Sequence, residues 1–337
     1  MRILLDVMGG DLPSHELVKG GVAAGHRLGV DILFSGDPRA IREALSKLHE
    51  REDGRFSILP SSQVITMTEP PVQAVRKKKD SSLINGLVAL KERAVDAYVS
   101  AGNTGAVVAG ATFIVGRIEG IPRPGIAITI PTVSGREIVV IDVGANVDCA
   151  PEHLLHFALM GATYARDVLG IARPTIGLLN IGTEREKGNK LIHRVYDLLA
   201  DAPLPFAGNV EGHHLLTERP VDIVVCDGFI GNVFLKTLEG GISAMSNIIR
   251  NGVNRNLRGK LGGLMLKPVF ASLRKKLSYN QLGGAPLLGI NGSVVIAHGR
   301  SDAMAIESAI DVAHRAATAN LTETMAKGIS GWSEHGR

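Results

Sequence analysis

The sequence predicts an α/β fold three layers thick, with helices on both faces of a mostly parallel central sheet. Three observations predict it. Apolar runs rich in β-branched residues alternate with stretches of helical period along almost the whole chain. These runs are continuous rather than alternating, which is how a strand reads when helices bury both its faces. Apolar residues make up 45% of the 337, far too many for a disordered chain.

In chain order the predicted strands are Ile3–Val7, Asp31–Ser35, Phe56–Pro60, Asp96–Ser100, Ile126–Ile130, Ile138–Asp142, Thr175–Ile181 and Val221–Asp227. Asp37 before Pro38 reads as an N-cap followed by proline at the first helical position. Ala150-Pro151-Glu152 opens a long helix toward Gly170 in the same way. No repeat, linker or composition break divides the chain, so residues 1–330 read as one domain and 331–337 as a tail.

One segment breaks the pattern. No acidic residue lies between Glu239 and Asp302, whereas Arg250, Arg255, Arg258, Lys260, Lys267, Arg274, Lys275, Lys276 and Arg300 do. Leu257, Leu261, Leu264 and Met265 recur at helical spacing, and Pro268 should end a helix near Lys267. The reading is a projecting pair of short basic amphipathic helices over 240–280. Packing against a second copy and docking on an anionic membrane surface both fit, the latter at about 1 kcal/mol per nearby cation.

Charge and cysteine content narrow the function. Thirty-seven basic against 33 acidic residues give a net charge of +4, too mild to announce nucleic acid. Two cysteines, Cys149 and Cys226, cannot build a disulfide scaffold, and no CxxC motif or Cys/His cluster points to zinc. No signal peptide is read at the N-terminus. The uncharged stretch from Ala97 to Gly116 is broken by Ser100, Asn103 and Thr104, so it reads as strand, turn and helix. A cytoplasmic location is expected.

The chemistry is expected at strand ends, where open parallel sheets bind their ligands. Ser100–Gly105, Asp142–Asp148, Asn180–Asn189 and Cys226–Asn232 each leave a strand through a turn rich in Gly and Asn, and Asp6–Asp11 is a fifth. Glycine lets a backbone approach a ligand, and free N–H groups at a helix start favour an anion. Converging on one sheet edge, these turns point to phosphate. Neither GxGxxG nor GxxxxGK[ST] is present, so no dinucleotide or Walker fingerprint exists, and no cofactor is expected. Asp6 and Asp11 lack a third carboxylate at metal-ligand spacing; no metal site is read. The candidate ligands are Asp6, Gly9, Gly10, Asp11, Gly102, Asn103, Thr104, Gly105, Asp142, Asn146, Gly182, Thr183, Asp227 and His298. His298 fits a general base or a structural hydrogen bond equally well. Lys187, in a Gly/Asn loop, reads either as a cation for phosphate or oxyanion or as a surface lysine beside Glu184 and Glu186. Arg76, Lys77, Lys78 and Lys79 read as a solvated patch unless the partner is acidic.

These segments resemble the bacterial phosphate acyltransferases of phospholipid synthesis, which use acyl carrier protein as donor. The resemblance runs in order from Asp6–Asp11 through Glu69-Pro70, Arg76–Ser82, Ser100–Gly105, Pro131–Gly135, Asp142–Asp148, Lys187–Asn189, Gly208–Glu211 and Asp227–Val233 to Ala297-His298-Gly299. It implies a homodimeric α/β/α fold akin to the isocitrate/isopropylmalate dehydrogenases and phosphotransacetylases. It implies transfer of a fatty acyl group from acyl carrier protein to inorganic phosphate, the acyl-phosphate then serving a glycerol-3-phosphate acyltransferase at the membrane surface. Lys187 and Asn232 fall on the family's catalytic positions. The acidic carrier protein gives the basic stretches a partner: Arg76–Lys79, or Arg258, Lys260, Leu261, Leu264, Lys267, Arg274 and Lys275, which would otherwise meet lipid. Two other readings remain beside this one: a phosphotransacetylase acting on short acyl-CoA, and a non-catalytic phosphate-binding scaffold. A covalent route through Cys149 or Cys226 is the mechanistic alternative.

Overall fold

The computed structural model describes residues 1–218, 220–255, 257–268 and 283–335. Its strands are β1 (Arg2–Asp6), β2 (Asp31–Gly36), β3 (Phe56–Pro60), β4 (Ala97–Ser100), β5 (Gly125–Pro131), β6 (Glu137–Ile141), β7 (Ile176–Asn180), β8 (Phe206–Glu211), β9 (Ile223–Val225), β10 (Ala285–Leu288) and β11 (Ser293–Ile296). They form one sheet in the order β3-β2-β1-β4-β11-β10-β5-β6-β9-β7-β8.

The sheet is mixed, which corrects the expectation of a mostly parallel one where it matters most. Seven pairings are parallel, but β11·β10, β10·β5 and β5·β6 are antiparallel and lie together at the centre. Three reversals in a row leave the two parallel blocks, β3-β2-β1-β4-β11 and β6-β9-β7-β8, pointing opposite ways. Two of the reversals come from the hairpin β10–β11, which the sequence reading missed together with β8. β10 carries Pro286, a residue that ordinarily argues against a central strand. Pro286 pairs with Val295 of β11, whereas the ladder to β5 begins only at Leu287, so the missing N–H leaves no gap there.

Continuous apolar runs do bury both faces. Leu4 joins a core layer that also holds Tyr98, Ile128, Val140 and Val224, so it spans both blocks. Its neighbours Ile3 and Leu5 turn to the other face, into a layer with Phe34, Ile306 and Ile310. The second block has its own layer on Phe157, Ile223 and Val225.

Helix starts follow the sequence closely. Asp37 accepts from Arg39 N at 2.9 Å at the start of helix Pro38–Lys47. Helix Pro151–Asp167 opens where Pro151 predicts, with Ala150 N donating to His153 Nδ1. Helix Gly228–Asn254 runs 27 residues and takes in all of 240–254, so the first of the two expected short helices is instead the end of a long one; helix Leu257–Met265 follows, ending before Lys267. Helix Leu321–His335 continues through most of the stretch expected to be a tail. Arg274 and Lys275 lie outside the described residues. Among these, no helix is long and apolar enough to cross a membrane.

Candidate functional site

The opposed blocks divide the predicted turns into two groups. Asp6–Asp11, Ser100–Gly105 and Ala297–Gly299 follow β1, β4 and β11 at one rim. Asp142–Asp148, Asn180–Asn189 and Cys226–Asn232 follow β6, β7 and β9, whose carboxyl ends face the other rim. The five turns therefore do not share one sheet edge.

At the first rim the polar side chains mainly hold loops in place. Asp6 is buried, accepting from Met8 N at 3.0 Å and Ser100 Oγ at 2.8 Å, and Ser100 Oγ in turn accepts from Gly102 N. Burial pushes the Asp6 carboxyl up to about 6, against these hydrogen bonds. Asn103 caps helix Thr104–Gly110 through Ala106 N, and its Nδ2 donates to the carbonyls of Thr66, Met67 and Glu69. Thr104 is exposed at that helix start, and a Cβ on Gly105 would fall 2.6 Å from Pro71. Gly9, at φ +85°, has no room for a side chain: a Cβ would sit 2.8 Å from Ile65 O. Gly10 lies between the carbonyls of Ala101 and Gly299, and Asp11 N donates to Gly299 O at 2.8 Å.

His298 Nδ1 accepts from Arg300 N at 3.1 Å. Burial holds its ring below the usual histidine range; Lys236 pushes the same way, while Glu239 and Asp11 oppose. Lys236 and Glu239, an ion pair at 2.9 Å, belong to helix Gly228–Asn254. That helix starts at the second rim, so it carries charge from one rim into the field of a histidine at the other.

At the second rim a buried carboxylate organises the backbone. Asp142 accepts from the backbone N–H groups of Ile126, Gly144, Ala145 and Asn146 and from Asn146 Nδ2, all within 3.1 Å. Burial still raises its pKa. Asn146 Nδ2 also donates to Pro124 O, and Gly228 N donates to Asn146 O. Asp227 caps helix Gly228–Asn254 through Ile230 N at 2.8 Å. Gly231 presses so closely on this loop that a Cβ would come within 1.9 Å of Asp142 O. Asp142, Asn146 and Asp227 thus shape the rim rather than present free donors.

Asn232 and Lys187 are different, since both are exposed. Asn232 lies against Gly144: a Cβ added at that glycine would come 3.7 Å from the Asn232 amide carbon. Lys187 sits in a loop tied to the sheet by Asn180 Nδ2, which donates to Lys187 O, and by Asn209 Nδ2, which donates to Glu184 O. Gly182 is buried beneath the Lys187 stem, and Thr183 is exposed beside it. Their strands, β7 and β9, are neighbours.

Neither cysteine is disposed to act as a thiolate. Burial pushes Cys149 up to about 11 and Cys226 well above the usual thiol range. Among the basic candidates, Arg76, Lys77 and Lys79 are exposed, but Lys78 is tied into the body by Glu69 at 2.7 Å and by Val64 O. Lys260, Leu261, Leu264 and Lys267 are exposed. At the end of β8 the structure also brings together Glu211, His213 and His214, a carboxylate oxygen and one nitrogen from each ring lying within 4.8 Å of one another, a cluster the sequence reading did not single out.

Fold and rims together define a class: α/β proteins built like the phosphotransacetylases. A phosphotransacetylase from Streptococcus pyogenes superposes with a TM-score of 0.60 over 98% of this chain and 94% of that one, at 17% identity. The particular family is set by sequence. Residues 1–324 match the family described as fatty acid synthesis protein, and the chain belongs to it. A phosphate acyltransferase from Moorella thermoacetica is 46% identical over 96% of this chain and 95% of its own length. One from Dictyoglomus turgidum is 42% identical over the full length of both.

Proposed function

We propose that this protein transfers a fatty acyl group from acyl carrier protein to inorganic phosphate, yielding an acyl-phosphate for glycerol-3-phosphate acylation. The observation that carries the assignment of roles is the exposed pair Lys187 and Asn232, in the turns that follow the adjacent strands β7 and β9, with Asn232 against the loop that Asp142 organises. An oxygen of hydrogen phosphate attacks the thioester carbonyl; the tetrahedral intermediate then expels the carrier's thiolate as the C–S bond breaks. The phosphate proton passes to the thiolate or to water. Phosphate is a competent nucleophile near neutrality, with a second pKa of about 6–7, in the range of its monoesters or slightly above. A thiol of pKa about 8.5 leaves readily. The protein therefore supplies position and charge rather than a nucleophile. Lys187 holds phosphate and offsets the developing negative charge, while the Asn232 amide donates to the oxyanion.

The test is thiol release from acyl carrier thioester by purified protein. Lys187→Ala should lower turnover roughly 10²–10³-fold, the usual cost of one such donor. Near-normal turnover would overturn the assignment. The fold likeness supports a second reading, a phosphotransacetylase of short acyl-CoA, which turns on whether acetyl-CoA outperforms a long-chain carrier thioester as donor.

The wider setting belongs to the same reading. The protein works in the cytoplasm as a homodimer at the membrane surface, beside the acyltransferase that consumes its product. A fold akin to the isocitrate/isopropylmalate dehydrogenases and the projecting basic segment are part of this proposal. Exposed Met245, Ile248, Leu261, Leu264 and Met265 on helices Gly228–Asn254 and Leu257–Met265 support such a surface, with Lys260 and Lys267 among the exposed cations.

A further inference from the structure

Glu211, His213 and His214 take no part in the chemistry proposed above. One carboxylate oxygen and one nitrogen from each imidazole lie within 4.8 Å of one another. We propose that these three side chains bind a divalent transition-metal ion, with Zn²⁺ the occupant that suits them. One carboxylate and two imidazoles form a mixed O/N set that zinc accepts, leaving a fourth tetrahedral position for water or an anion. Zinc bonds of about 2.0–2.2 Å place ligand atoms roughly 3.4 Å apart, so binding draws the three groups inward by side-chain rotation.

The backbone beneath them is already fixed. Glu211 is the last residue of β8, paired with Asn180 of β7. Buried Val210 and Leu215 anchor the segment on either side, and Val133 N donates to Leu216 O at 2.9 Å. A carboxylate also stands beside the far nitrogen of His214. Its Nε2 faces Glu211 Oε2 at 3.7 Å, while its Nδ1, shielded from solvent, has Glu218 Oε1 at 2.7 Å, out of line for a hydrogen bond. A rotation of the exposed Glu218 side chain lets Nδ1–H donate to it, the arrangement that fixes ring orientation and raises ligand basicity in metal-bound imidazoles. The His213 ring lies against His214 with centroids 3.8 Å apart and planes tilted by 39°, keeping the second imidazole beside the first.

The experiment uses the full chain, treated with chelator, checked for fold by circular dichroism and titrated with Zn²⁺ by calorimetry. One Zn²⁺ per chain is expected, with affinity at least a hundredfold weaker in His213→Ala and His214→Ala. Glu218→Gln, at an exposed position, should weaken it about tenfold, as loss of a backing carboxylate does. Co²⁺ in place of Zn²⁺ should give the visible bands of a four-coordinate site, lost in His214→Ala. Absence of zinc uptake overturns the proposal. So does uptake unchanged in the His213→Ala/His214→Ala double variant, which would place the metal among the chain's other histidines. Because the readout is binding, failure here leaves the acyltransfer reading standing or falling on its own assay.

Discussion

Asp6 shows how a residue that reads as a ligand can serve the fold instead. Its carboxylate is buried among Met8 N, Ser100 Oγ and Tyr98, and its pKa rises to about 6 because burial outweighs those hydrogen bonds. A raised folded-state pKa means that its stabilising contribution is full below the unfolded value near 3.9 and is lost as pH climbs through about 6. Relative to Asp6→Asn, the wild-type protein should lose about 2 kcal/mol between pH 4 and pH 7, as read from urea unfolding across that range. A flat difference would show that Asp6 ionises freely. Asn103 makes the same point with a different sign. Asn103→Asp keeps the cap on Ala106 N but turns three donations toward carbonyls into repulsions, so it should destabilise more than the about 1 kcal/mol of an ordinary cap loss. Denaturant midpoints for Asn103→Asp and Asn103→Ala would check it. The cysteines give a third test at this scale. With both thiols held up by burial, Cys149→Ser/Cys226→Ser should keep its turnover, and a folded but inactive double variant would revive a covalent route.

Among the elements, the start of helix Gly228–Asn254 is the most constrained. Gly231 leaves no space toward Asp142 O, so Gly231→Ala must push the helix start off the loop that Asp142 organises. Overpacking of this kind costs about 1–3 kcal/mol or more. It should also lower turnover by shifting Asn232 one residue away, measured as a fall in kcat with the fold retained. The elements themselves were largely legible. All eight strands read from apolar runs are present, and the caps at Asp37 and Pro151 mark real helix starts. β8, β10 and β11 were not, because Gly208 and Asn209 interrupt one apolar pattern, Pro286 discourages another, and four-residue strands barely rise above loop.

For the whole molecule, the decisive feature is the reversal of strand sense at the centre of the sheet. It sets Lys187 and Asn232 at one rim and His298 at the other, with one long helix joining them. Charge acts at this scale too. A small acidic carrier protein steered by exposed Arg76, Lys77, Lys79 and Lys260 should give a rate that falls steeply with salt. Turnover unchanged between low and high ionic strength would show that these cations play no part in docking.

The sequence alone determined the layers, most of the strands and the turns that carry glycine and asparagine, since burial pattern, capping and backbone freedom are local properties of the chain. It also determined the family. Only the tertiary structure decided which turns face each other, because the local hairpins β5–β6 and β10–β11 set the opposed sense of the two blocks only once β10 pairs with β5, Leu287 against Ile126, a contact between distant parts of the chain. Tertiary structure also separated ligand-like residues that are occupied, such as Asp142 and Asn103, from those left open, such as Lys187 and Asn232. A polar side chain looks the same in a sequence whether its hydrogen bonds end on its own backbone or reach into solvent.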